Sequence, residues 1–326
     1  MKVVKKNPNK DFVVLNLTDP QLDNAEWEKG HKHREILEYT ITQLIQKVQP
    51  DFITVSGDLA WAGYDHAYQM FGEFVDSFQI PWTVVWGNHD NQNGAEYIDK
   101  LADMYMGFSH CLYEKGDPAL GNGNFVIVIE ENEQPVEGLV MMDTHSQEDY
   151  VDKDGNTQRV WSKLTKAQIE WYKAQIRQLQ DMGCMDTSII LHIPIYAYSL
   201  ASAAAYKSGL ALGELTVEQS YGSECWNEGY EDSVGVQYEG IACYPEDEGM
   251  FAAIKEMGST KHVIAGHDHV NNWIIRYDGV RLIYGLKLGA GCYWNPRLNG
   301  GTVLKVGKEG VKEVSHEYVD VSKFLD

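Results

Sequence analysis

The stretch Trp82-Thr83-Val84-Val85-Trp86-Gly87-Asn88-His89-Asp90 runs five apolar or β-branched residues into a glycine, then sets an amide, an imidazole and a carboxylate in a row. It predicts a buried strand that turns sharply at Gly87 and carries Asn88 and His89 above a sheet edge. Alone, it also fits an ordinary polar turn between buried elements. Repetition decides between the two. Residues 12–17 lead to Asp19, 52–55 to Gly57-Asp58, 188–191 to His192, and 262–265 to Gly266-His267-Asp268-His269. Five apolar runs that each end in a ligand-type side chain point to one shared site at the carboxyl edge of a sheet system.

The segments between these strands read as helices. Leu37, Ile41, Leu44, Ile45 and Val48 follow helical spacing, as do Phe71, Phe74, Val75 and Phe78, and Pro50 and Pro81 precede the next strands. Strand-helix-strand alternation makes the first strands parallel and the fold α/β. Thr165-Lys166-Ala167-Gln168 is a capping box opening an amphipathic helix, and residues 251–257 form a short one. Residues 125–129 and 139–142 are expected as strands joined by a solvated acidic tip at 130–137, and a closing hairpin is expected around Asn299-Gly300-Gly301. The stretch 197–245 lacks clear periodicity and reads as an insertion over the site or a surface excursion, within a single domain spanning 1–326.

The chain has 326 residues, 44% of them hydrophobic, and a formal charge of −21. That charge disfavours nucleic acid and anionic membranes as partners. No apolar run has the length of a signal segment or a bilayer span, so a cytoplasmic protein is expected. Five cysteines without paired short spacing suggest reduced, buried thiols.

Asp19, Asp58 and Asn88 offer hard oxygens, whereas His192, His267 and His269 offer imidazole nitrogens. The mixture suits manganese, iron or zinc. Two ions close together need one bridging anion, and Asp58, at a strand-to-loop turn, is the candidate.

In their order, Asp19, Gly57-Asp58, Gly87-Asn88-His89-Asp90, His192 and Gly266-His267-Asp268-His269 resemble the motifs of the calcineurin-like metallophosphoesterase superfamily. His192-Ile193-Pro194 and the run to Asn271 particularly resemble its purple-acid-phosphatase-like intracellular branch. The resemblance implies a four-layer α/β/β/α sandwich of two mixed β-sheets flanked by helices, with two metal ions at the sheet edges. One ion would take Asp19, Asp58 and His269; the other would take Asp58, Asn88, His192 and His267. Two positions depart from the pattern: Gln21 stands where the family places a histidine ligand, and Trp61 where purple acid phosphatases place a metal-bound tyrosine. Tyr64 lies at the wrong offset to replace it.

The expected activity is hydrolysis of a small phosphorylated substrate, with a phosphomonoester ahead of a phosphodiester or a nucleotide, and a silent metal-binding scaffold on the same fold as the other alternative. His89, beside ligand Asn88, would protonate the leaving oxygen or steady the transition-state charge, with Asp90 orienting it. Gln21 would ligate through oxygen or leave its place to water. His145, His31 and His33 are further candidates for substrate contact, set against ordinary polar roles in loops.

Overall fold

Alternating apolar residues in the strands serve two different cores at once. In β5 (Phe125–Glu131), Ile127 and Ile129 join one core while Val126 and Val128 join another. In β10 (Thr260–Ala265), Ile264 faces the first core and Val263 and Ala265 the second. A strand buried on both faces belongs to an interior layer. The structure, a computed structural model, describes residues 1–207, 216–220 and 225–325.

The remaining strands are β1 (Lys2–Lys5), β2 (Phe12–Leu17), β3 (Phe52–Ser56), β4 (Trp82–Val85), β6 (Gln134–Met141), β7 (Gln147–Val151), β8 (Thr157–Trp161), β9 (Thr187–Ile190), β11 (Ile274–Tyr277), β12 (Val280–Tyr284), β13 (Gly300–Gly307) and β14 (Gly310–Tyr318). The helices are α1 (Lys32–Val48), α2 (Asp65–Asp76), α3 (Ala95–Met106), α4 (Lys166–Asp181), α5 (Ala197–Ala205), α6 (Val217–Ser220) and α7 (Met250–Met257). One sheet runs β1-β5-β6-β9-β10-β12-β11, a second β14-β13-β2-β3-β4, and β7-β8 stands apart as a hairpin. Both large sheets are mixed.

The first core joins the facing sheets and also takes the apolar stripes of α1, α2 and α3, among them Leu37, Leu44, Phe71 and Leu101. The second core lies between the outer face of the seven-stranded sheet and α4, α5 and α7. The order of layers is therefore helix, sheet, sheet, helix. Each fully buried Leu, Ile or Phe contributes about 1.5–3 kcal/mol. The capping box forms as expected: Thr165 Oγ1 accepts from Gln168 N at 3.2 Å, and Thr165 N donates to Gln168 Oε1 at 2.9 Å.

Parallel pairing aligns the functional loops. β2, β3 and β4 are adjacent and parallel, so Asp19, Asp58 and Asn88 leave the same sheet edge. β9 and β10 are parallel neighbours, which brings His192 beside His267.

Several expectations are corrected. The acidic tip shrinks to the turn at Asn132 and Glu133, both in left-handed backbone, because β5 and β6 run on to residues 131 and 134. Glu137 is fully buried within β6. The closing hairpin turns between Gly307 and Gly310, while Gly300 and Gly301 start β13. The stretch 197–245 opens with α5, whose Ala- and Tyr-rich sequence hid its periodicity. Further on, Val234 and Gln237 bridge to Ile274 and Asn271. Residues 208–215 and 221–224 of that stretch lie outside the described residues. Cys292 is exposed, contrary to the expectation of buried thiols, whereas Cys111, Cys184 and Cys225 are buried. No described helix is long and apolar enough to cross a membrane.

Candidate metal centre

Tight backbone turns at the ends of the strands carry the ligands. Asp19, Asp58 and His267 have left-handed φ angles of 54°, 52° and 77°, strained conformations held by hydrogen bonds between the loops. Asp19 N donates to Gly57 O at 3.1 Å, Gln21 N to Asp58 O at 3.2 Å, and His267 N to Asp19 Oδ2 at 3.1 Å. Gly87 is required by close approach, since a Cβ there would lie 2.1 Å from Asp58 Oδ1.

Asp58 sits in the middle. Its Oδ2 is 3.2 Å from His192 Nε2, 3.2 Å from Gln21 Nε2 and 4.0 Å from His89 Nε2. Asn88 Oδ1 lies 3.0 Å from His192 Nε2, and Asp19 Oδ1 lies 3.4 Å from His269 Nε2. His192 Nδ1 donates to Ser56 O at 2.8 Å and His269 Nδ1 to Tyr293 O at 2.9 Å, which turns both Nε2 atoms inward. Ligand atoms of Asp58, His192 and His267 lie within 4.8 Å of one another.

Burial pushes the Asp19 and Asp58 carboxyls up, but the neighbouring histidines outweigh it and hold both below the usual range. Against its own burial, His192 is held up to about 10 by Asp58 and Asp19. Burial and the His192 charge push His267 down to about 3. The cluster thus pairs two carboxylates with one imidazolium, compensation that cations would supply instead. Among the buried side-chain atoms of the described residues that have no hydrogen-bond partner, three belong to this cluster: Asp19 Oδ1, Gln21 Oε1 and His267 Nε2. Orphaned donor atoms of metal-ligand type, converging in one place, fit a metal centre.

His89 stands at the rim with its side chain 27% exposed. Gln92 Nε2 donates to His89 Nδ1 at 2.9 Å, leaving the proton of a neutral ring on Nε2, the nitrogen nearer Asp58. The expectation that Asp90 orients His89 is corrected. The Asp90 carboxylate instead accepts from Gly87 N (2.7 Å), Tyr68 Oη (2.8 Å), Asp58 N (2.9 Å) and Leu59 N (3.0 Å). It staples the Asp58 loop to the Asn88 loop. Burial and the Asp58 charge raise it to about 7.

His145 turns both ring nitrogens to Asp143 and Gln168, each at 3.3 Å. His31 Nδ1 accepts from His33 N at the start of α1, and His33 pairs with Glu26 at 2.6 Å. All three histidines are engaged in local structure. Sequence reasoning missed Trp161, whose ring meets that of His267 at 4.5 Å, and Tyr293, which stacks on His269 at 4.2 Å. It also missed Lys287, 3% exposed, whose Nζ donates to the Asp19 carbonyl. Burial lowers Lys287 to about 8, opposed by Asp19. A lone cation in the apolar run Tyr284-Gly285-Leu286-Lys287-Leu288 was the available signal.

The family model for calcineurin-like phosphoesterases matches residues 12–271, which include every ligand position above. The chain belongs to the calcineurin-like phosphoesterase family. It is 25% identical over 272 residues to an Arabidopsis thaliana protein named "Probable inactive purple acid phosphatase 28", covering 78% of this chain and 62% of that one. It is 24% identical to "Probable inactive purple acid phosphatase 14" of the same plant, covering 75% and 60%. The chain therefore spans about three fifths of the length of these relatives. A dimetal phosphatase from Danio rerio shares the fold at a TM-score of 0.57 and 13% identity, with 94% of this chain and 98% of that one covered. The purple acid phosphatase PPD1 from yellow lupin (Lupinus luteus) aligns at a TM-score of 0.50 and 14% identity, covering 97% and 55%. Membership in this phosphoesterase family implies a dinuclear centre, and the residues gathered around Asp58 fit one.

Proposed function

We propose that this phosphoesterase hydrolyses phosphomonoesters of small phosphorylated molecules, using two ions drawn from manganese, iron and zinc. The reading rests on one observation: orphaned ligand atoms of Asp19 and His267 lie in the cluster around Asp58 and His192, while His89, free of that cluster, presents Nε2 beside it. Asp19, Asp58 and His269 would hold one ion, with Gln21 able to join them through Oε1 only after its amide turns over, and Asp58, Asn88, His192 and His267 the other. Bound divalent ions supply an activated water and neutralise charge on the phosphoryl oxygens.

The chain's own residues do the rest. His89 aims Nε2–H at the leaving oxygen, and Gln92 fixes that tautomer. The neutral ring steadies charge there by a hydrogen bond. The imidazolium, formed with the Gln92 amide turned over to accept from Nδ1–H, gives the proton and returns to the neutral ring. Asp90 keeps the Asp58 and Asn88 loops in register. Trp161 and Tyr293 cover the His267 and His269 rings and keep water from their outer sides. An odd number of cysteines without paired spacing supports a reducing compartment such as the cytoplasm. The acidic charge supports a small substrate over nucleic acid or membrane.

The test is a panel of phosphomonoesters, phosphodiesters and nucleotides, assayed after loading with each metal in turn. Monoester turnover is expected. Faster diester turnover would move the reading to a phosphodiesterase. A second reading, a metal-binding scaffold without turnover, is favoured by Gln21, whose amide donates to Asp58 Oδ2 where a ligand is expected. Full metal occupancy with no turnover on any ester would establish it.

A further inference from the structure

Among the described residues, the exposed aromatic side chains are Tyr64 and Tyr293, at 38% and 50%. Single exposed aromatics are ordinary on a protein surface; the position of these two is not. Tyr293 lies against a histidine of the centre, and Tyr64 is linked to another through Trp61. Tyr293 stacks on His269 with ring planes 17° apart and donates its hydroxyl to Glu239 Oε2 at 2.9 Å, so that ring is tied in place over a metal ligand. On the other side, Tyr64 meets half-buried Trp61 edge-on at 6.3 Å, and Trp61 lies 5.9 Å from the His89 ring.

The Trp61–Tyr64 turn is fastened to the His89 turn itself. Ala62 N donates to His89 O at 3.0 Å, and Tyr64 N closes the turn onto Trp61 O at 3.0 Å. Proton donor and aromatic pair are therefore placed by the same backbone. A leaving oxygen protonated by His89 carries its organic group out on this side, where two aromatic rings await it. A flat group stacks on such rings with a preference that an aliphatic group of equal size lacks. The net charge of −21 further disfavours a second anionic group there.

We infer that Trp61 and Tyr64 form the leaving-group subsite, and that the substrates are phosphate esters whose alcohol carries a neutral aromatic or heteroaromatic ring. The inference rests on the phosphoesterase reading for the side on which the alcohol leaves. It is tested with benzylphosphonate and cyclohexylmethylphosphonate, which match in size and charge, binding to the metal-loaded protein in a calorimeter. Hydrolysis of the two corresponding phosphate esters, whose alcohols are of similar acidity, is measured in parallel.

The benzyl compound is expected to bind about five- to tenfold more tightly. Trp61→Ala and Tyr64→Ala should each reduce that ratio, Trp61→Phe and Tyr64→Phe should keep most of it, and Tyr293→Ala should leave it in place. Exposed Tyr64 does not touch His89, so its variants test the subsite without disturbing the proton donor. Equal affinities, no binding of either phosphonate, a ratio that survives both alanine variants, or one lost in Tyr293→Ala alone would overturn the inference. A benzyl preference in binding without hydrolysis of either ester would sink the phosphoesterase reading and leave the subsite standing. Hydrolysis of both esters at equal kcat/KM, with equal phosphonate binding, would do the reverse.

Discussion

On one side of Asp58, ligand atoms of His192 and His267 lie within 4.8 Å of it and of each other, and Asn88 Oδ1 is 3.0 Å from His192 Nε2. On the other side, Asp19 and His269 meet at 3.4 Å, but Gln21 occupies the remaining place and gives its amide proton to Asp58 Oδ2. The first half is preorganised, since Ser56 O orients His192 and the ligands need only lose a proton. The second must turn an amide through half a rotation before it can offer oxygen, and buried Lys287 adds a cation on the Asp19 carbonyl. The difference teaches that a shared bridging carboxylate does not make two half-sites equal. The ion beside Asp19 should be the looser one.

Asp58→Asn tests what the halves share and should have the largest effect. Both ions should be lost together and turnover should fall on the order of a thousandfold, beyond the 10- to 100-fold typical of outer-shell partners. Elemental analysis that finds one ion still at full occupancy would show that Asp58 is not the bridge.

Acidity separates both halves from the fold that supports them. Metal should be lost as pH falls, when ligand histidines take up protons. Glu137 acts in the opposite direction. Buried, and accepting from Ser188 Oγ at 2.8 Å and Val311 N at 3.2 Å, it is raised to about 8 from 4.5. The folded state keeps this proton where the unfolded state has released it, so the stabilisation is full below about pH 4.5 and is lost as pH rises toward about 8. Glu137→Gln, which imitates the protonated acid, should flatten the dependence by a few kcal/mol between pH 5 and 8. Urea unfolding at both pH values with saturating metal measures it. Parallel curves for variant and parent would refute the assignment.

His89→Ala should leave both ions in place and lower turnover about a hundredfold. A lost ion would place His89 in the coordination sphere instead.

Gln21→His goes directly to the asymmetry and should have the smallest effect. An imidazole nitrogen in place of the amide should tighten the ion beside Asp19 about tenfold, most for zinc, and leave the other unchanged. Equal affinities for two ions in the parent protein, or no change in the variant, would show that the two half-sites do not differ.

The ligand series was legible because strand periodicity and glycine turns are written along the chain: each apolar run must end, and Asp19, Asp58, Asn88, His192 and His267 stand where the runs do. The capping box at Thr165 was legible for the same local reason. The α/β alternation showed too, whereas α5 and the β7–β8 hairpin did not, being short and without a contrasted apolar face. Tertiary structure alone decided which partner each side chain took. Asp90, adjacent to His89, turns to the backbone of the Asp58 loop because parallel β3 and β4 set the two loops side by side. Trp161 reaches His267, and Lys287 reaches the carbonyl of Asp19, 268 residues away. Local pattern specifies which face of a strand is buried. It carries no information about which distant group will fill the space opposite, and that pairing sets the protonation, orientation and strength of every ligand around Asp58.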